Sequence, residues 1–91
     1  MDIVREAQAG TLQSSDVMVM VKPAERRAVL IESTASARFK EQIEKLVNEV
    51  LDEMGVDKVE IKIKDQGALP FAMRARIKTA LKRASQGGEN E

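Results

Sequence analysis

Two stretches of this chain carry a helical apolar period and three carry a strand-like one. Behind Ser33-Thr34-Ala35-Ser36, the residues Phe39, Ile43, Leu46, Val47, Val50, Leu51 and Met54 recur at steps of four, three and one. That spacing draws a single apolar stripe along a helix from about Ala37 to Met54. Ser36 or Ser33 is its N-cap, since either hydroxyl can accept from the first free amides. Glu41 and Lys45 sit four apart in the favoured order on the wet side. Gly55 ends the helix where a left-handed residue is wanted. A second stripe of Met73, Ile77, Ala80, Leu81 and Ala84 defines another helix, opened by Pro70, whose missing amide is harmless in a first turn.

The strand-like stretches differ from one another. Val17-Met18-Val19-Met20-Val21 is apolar throughout, which predicts a strand covered on both faces. Pro23 closes it. Ala28-Val29-Leu30-Ile31 follows after a separation short enough for an antiparallel hairpin. From Val56 to Lys64 the pattern alternates strictly, with Val59, Ile61 and Ile63 inward and Lys58, Glu60, Lys62 and Lys64 outward. Asp65-Gln66-Gly67 makes the turn behind it. Ile3, Val4 and Ala7 fit either a helical turn or a sheet edge. Methionines 18, 20, 54 and 73 read as core.

The element order is therefore strand, strand, helix, strand, helix. Burying both stripes at once calls for an α+β two-layer sandwich, a mainly antiparallel sheet with two helices on one face. Residues 1–84 read as a single domain, and residues 85–91 as a disordered polar tail. At 91 residues, 43% of them apolar, the chain can bury one modest core and not two.

Composition narrows the chemistry. The chain has no histidine, no cysteine, no tyrosine and no tryptophan. Zinc and most transition-metal sites lose their usual ligands, and no Ser-His-Asp or Cys-His nucleophilic site can be assembled. Phe39 and Phe71, the only aromatics, do not make a platform for stacking bases. Fifteen basic residues balance fifteen acidic ones, which argues against general affinity for nucleic acid or an anionic membrane. The N-terminus is acidic from Asp2 with no apolar stretch behind it, so no secretory signal is expected, and a cysteine-free chain suits a reducing cytoplasm. An enzyme working with carboxylates or a lysine stays possible, but such a chain rarely encloses the pocket it needs.

The only clustered hydroxyls ahead of the first strongly apolar run, Val17 to Val21, lie in Ala9-Gly10-Thr11-Leu12-Gln13-Ser14-Ser15-Asp16. Gly10 permits conformations that residues with a Cβ resist. Thr11, Ser14, Ser15 and Asp16 carry short oxygens that bond their own backbone and favour a turn. Composition alone reads this stretch as an exposed loop ahead of a strand, and nothing more than a strand cap.

That octet, followed by Val17-Met18-Val19, resembles the N-terminal signature of the citrate lyase acyl carrier family, the γ subunits. Asp65-Gln66-Gly67-Ala68-Leu69 and Arg74-Ala75-Arg76 resemble its second signature. The resemblance implies that Ser14 bears a covalent 2'-(5''-phosphoribosyl)-3'-dephospho-CoA group through a phosphodiester. It implies a non-catalytic carrier whose arm takes acetyl and citryl thioesters between an α (acyl transferase) and a β (lyase) subunit, after a prosthetic-group transferase has loaded it. Ser15 and Asp16 would orient the loop, or Asp16 would help hold a cation during attachment. Gln13 stands where the family pattern has an acid, and Pro70-Phe71 where it has Asp-Cys, so the carrier of a related citramalate lyase fits as well. Ordinary acyl carriers place their serine in an Asp-Ser-Leu motif at a helix start. That motif is absent here.

One feature lies outside that resemblance. Arg74, Arg76, Lys78, Lys82 and Arg83 follow one another with no acid between Pro70 and Ala84. Most simply this is a solvated face. The alternatives are contact with the phosphates of an arm, or a small interaction module that binds an acidic partner.

Overall fold

The computed structural model describes residues 1–85. Its elements run β1 (Ala7–Gly10), β2 (Val17–Pro23), β3 (Ala28–Ser33), α1 (Ala37–Glu53), β4 (Val59–Asp65) and α2 (Pro70–Ser85). The strands form one sheet of order β1-β2-β4-β3. Pairing is antiparallel between β1 and β2 and between β2 and β4, and parallel between β3 and β4. The two-layer α+β architecture is as the periodicities require, with a short edge strand β1 added at the front. Ala7 therefore belongs to a sheet edge and not to a helical turn.

The expected hairpin between the second and third strands does not form, because β4 lies between them. The cause is burial. Val59, Ile61 and Ile63 are fully buried, and a strand so covered belongs at the centre of a sheet with a ladder on each side. β3 and β4 run parallel with α1 as their crossover, the connection a parallel pair requires. The linker 24–27 consequently passes over the beginning of β4 and is no tight turn.

Register explains which residues make the core. Ala9, Val19, Ile63 and Ile31 form one cross-strand row, and Ala7, Val21, Ile61 and Val29 the next. α2 lies across β1 and β2, while α1 lies against β3 and touches α2. The α1 residues Ile43, Val47, Val50 and Leu51 and the α2 residues Met73, Ile77, Ala80, Leu81 and Ala84 close the same core. The alternate positions Met18 and Met20 face the side that no helix covers and are only half-buried. The apolar run of β2 is therefore not covered twice, and of Met18, Met20, Met54 and Met73 only Met73 is buried. Two helices suffice for one face of a four-stranded sheet, and successive side chains of a strand take opposite faces.

The caps resolve one open choice. Ser36 is the N-cap of α1, its hydroxyl accepting from the Phe39 amide at 3.4 Å. Ser33 works elsewhere, accepting from the Ala35 amide and donating to Asp65. Gly55, at φ +66°, turns the chain out of α1. Ser85, expected to start a tail, instead ends α2, and residues 86–91 of that tail lie outside the described residues.

Candidate functional site

The loop 11–16 closes the hairpin between β1 and β2 at the end of the sheet where β4 finishes and α2 begins. Its closure depends on Gly10. That residue has φ +95°, and a Cβ placed on it would lie 1.8 Å from the Val17 carbonyl oxygen. Only glycine allows the strands to approach there. Beyond it, the Thr11 amide donates to the Val17 carbonyl at 3.2 Å and the Asp16 amide to the Gln13 carbonyl at 3.1 Å. Ser14 and Ser15 occupy the turn, both exposed. The Ser14 hydroxyl has no hydrogen-bond partner among the described residues. Ser15 holds φ +66°, uncommon for a residue with a side chain, so this turn is held by its surroundings.

Those surroundings are the turn after β4. The Ser15 amide donates to the Gln66 carbonyl at 2.8 Å, and the Gln66 amide donates back to the Asp16 carbonyl at 2.9 Å. This pair carries the β2–β4 ladder one step past Val17 and Asp65. The Asp65 carboxylate, buried at 3% exposure, fixes Gln66 in turn. One oxygen accepts from the Gly67 and Ala68 amides at 3.0 Å each, and the other from the Ser33 hydroxyl at 3.2 Å. Every oxygen of this buried acid has a donor, as burial of a charge requires.

Asp16 is the second clasp. The Arg76 guanidinium on α2 reaches both its oxygens, at 3.3 and 3.0 Å. The Thr11 hydroxyl and the Val17 amide donate to the same carboxylate. The Thr11 bond and then the Val17 amide hold its pKa down at about 2, desolvation opposes them, and Arg76 adds a lesser lowering by hydrogen bond and charge. Each favours the charged form. A carboxylate so occupied is a poor base and has little left to offer a metal ion, so holding a cation gives way to orienting the loop. No group of three or more metal-ligating side chains occurs among the described residues.

The two stretches 9–16 and 65–76 thus meet at one end of the sheet, with Ser14 presented at their junction. Sequence reasoning left out what Asp65 and Arg76 do. Asp65 shares the inward parity of Val59, Ile61 and Ile63, a signal that it was more than a turn residue. The basic series on α2 is also largely engaged within the chain. Arg74 pairs with Glu49 and Glu53, Lys78 with Glu53 at 3.8 Å, and Arg83 donates to the Gln8 carbonyl at 2.8 Å. Among the described residues the Lys82 ammonium alone of the five cationic groups has no partner, its carbonyl accepting from the Ser85 hydroxyl at 3.0 Å. A free cationic face for an acidic partner is therefore not what α2 offers. A surface depression of about 470 Å³ lined by Met1, Asp2, Ile3, Ala24, Gly55, Asp57 and Lys58 contains no residue of the serine loop.

The family model described as ACP, malonate decarboxylase delta subunit (MdcD), matches residues 4–84. A citrate lyase acyl carrier protein of Halothermothrix orenii is 42% identical over 90 residues, covering 98% of this chain and 96% of that protein. Those of Serratia proteamaculans and Treponema denticola are 45% and 44% identical, over 98% and 94% of this chain and 89% and 99% of their own. Among solved structures, a chain from a Pseudomonas malonate decarboxylase hetero-tetramer in complex with malonate superposes with a TM-score of 0.70 at 22% identity. The match covers 90% of this chain and 86% of that one, and it supports the fold. The chain belongs to the acyl carrier family that contains the citrate lyase acyl carrier proteins, and it is an acyl carrier.

Proposed function

We propose that the chain is the carrier subunit of a citrate lyase and that Ser14 is where its prosthetic group is joined. The observation that carries this reading is the exposed Ser14 hydroxyl, without a hydrogen-bond partner among the described residues, on a loop clasped through Gln66 and Arg76. The residues suit an attached phosphodiester of the phosphoribosyl-dephospho-CoA kind. Esterifying Ser14 disturbs no bond of the fold, and the nearby negative charge of Asp16 is already matched by Arg76. When attached, that group supplies the thiol this cysteine-free chain lacks, for acetyl and citryl as thioesters.

The chain's own part is to hold the loop, to offer the hydroxyl and to keep the arm near its users. Tethering raises the effective concentration of a carried group at each site it visits. Residues 1–84 are the carrier domain in this reading, without catalytic residues of their own. The partners are an acyl transferase subunit, a lyase subunit and the transferase that loads the arm. The compartment is the cytoplasm, a reading supported by the lack of cysteine and by no helix among the described residues being long and apolar enough to cross a membrane.

The test is the intact mass of the chain produced in cells that contain the loading enzyme. One added prosthetic group, lost in Ser14→Ala, is expected. An unmodified mass in such cells contradicts the proposal.

A further inference from the structure

Among the described residues six large apolar side chains are exposed, and three of them lie on the serine loop or just beyond the turn that clasps it: Leu12 at 54%, Leu69 at 60% and Phe71 at 72%. Leu12 is on the loop itself. Leu69 and Phe71 follow the Asp65–Gly67 turn, whose Gln66 bonds Ser15 and Asp16 and whose Gly67 lies against the Ser15 backbone. The core does not explain them, because the apolar stripe of α2 is complete without Phe71.

We infer that Leu12, Leu69 and Phe71 form the docking surface for the enzyme that loads Ser14, seated against an apolar rim of its active site. This rests on the reading of Ser14 as the attachment residue. The choice of occupant follows from distance. In loading, Ser14 Oγ itself reacts. It must come within about 3–3.5 Å of the phosphorus of a polyphosphate-activated donor, so the enzyme must cover whatever surrounds the loop. The Ser14 O–H proton passes to a base of that enzyme, the new O–P bond forms, and the P–O bond to the donor's polyphosphate leaving group breaks. Asp16 does not take that proton, because Arg76, Thr11 and Val17 occupy its oxygens. An apolar rim also excludes water, which competes with Ser14 for the same phosphorus. In the later acyl exchanges the reacting atom is at the far end of a long arm, and Ser14's neighbourhood need not be covered. Three side chains fall well short of the roughly 800 Å² per partner that a standing interface covers, which suits a transient enzyme and not a second copy of this chain.

The experiment uses the full chain with a purified prosthetic-group transferase from a citrate lyase system and its donor. Loading is followed by intact mass at varied carrier concentration, for the wild type, Phe71→Ser, Leu69→Ser and Val4→Ser. Val4 is equally exposed, at 59%, but packs by the last turn of α2, whose Ala84 carbonyl accepts from its amide. Phe71→Ser and Leu69→Ser are expected to raise the KM for the carrier about tenfold, with kcat little changed, and Val4→Ser to match the wild type. Loading of both loop-side variants at the wild-type KM overturns the inference, as does equal impairment of Val4→Ser. Normal loading of Phe71→Ser with failure in the acyl cycle assigns the patch to the lyase assembly and also overturns it. No mass gain by the wild type, or an undiminished gain in Ser14→Ala, removes the attachment reading itself, and the docking inference with it.

Discussion

Asp16 and Arg76 stand sixty residues apart in sequence, and the guanidinium of one reaches both carboxylate oxygens of the other. The pair joins the serine loop to the first half of α2, and Gln66 joins the same loop to the end of β4. Two separate stretches of sequence therefore act as one structural unit, whose shared product is the position of residue 14.

The pH dependence of this clasp has a defined sign. Asp16 is held at about 2 in the folded chain, below the ordinary 3.8. A depressed carboxyl pKa adds stability that is fully present above the unfolded value and is lost as pH falls toward the folded one. The stability difference between the wild type and Asp16→Asn should thus be constant above about pH 5 and shrink from pH 4 to pH 2. Urea unfolding across that range measures it. A difference that grows as the pH falls contradicts the clasp.

Gly10→Ala should damage the loop from the other side. Backbone strain at a positive φ costs about 1–3 kcal/mol, and contact of the new methyl with the Val17 carbonyl adds to it. Urea unfolding should show a loss of at least about 2 kcal/mol, beyond the effect of the same exchange at an ordinary surface position.

Asp65→Ala should cost about 2–4 kcal/mol, since it strips the Gly67 and Ala68 amides and the Ser33 hydroxyl of a shared charged acceptor. Amide exchange at Ser15, which donates to Gln66, should accelerate in this variant well above the change seen in α1. Unchanged exchange at Ser15 would show that the two turns are independent.

The methionines separate two kinds of apolar position. Met73→Ala should cost about 2–5 kcal/mol by cavity formation in the core. Met18→Ala and Met20→Ala, on the uncovered face of β2, should stay within about 1 kcal/mol. Thermal unfolding of the three variants checks this directly.

These contrasts mark how much of the molecule was legible in its sequence. α1, α2 and β4 were, because a stripe at helical spacing and a strict alternation each fit one regular element. The position of Ser14 on an exposed loop was legible too, from glycine and hydroxyl chemistry. Strand order was not. Val17 to Val21 and Ala28 to Ile31 are close in sequence, yet the deep burial of β4 requires a neighbour on each side and parts them. Local pattern cannot weigh that competition. Nor could it show that Met18 and Met20 face the uncovered side, since a run without alternation hides which face is open. Arg76 was visible as one of five cations, but its pairing with Asp16 depends on where α2 crosses the sheet. The roles of Asp65 and Gln66 likewise exist only once β2 and β4 are side by side.

The account rests on the hydroxyl of residue 14, and fragmentation mass spectrometry of the loaded chain tests it most directly. The tryptic peptide spanning residues 6–26, since Pro23 blocks cleavage after Lys22, should carry one prosthetic group, located on Ser14, retained in Ser15→Ala and absent from Ser14→Ala. A group found on Ser15, or on any residue outside the loop, would contradict it.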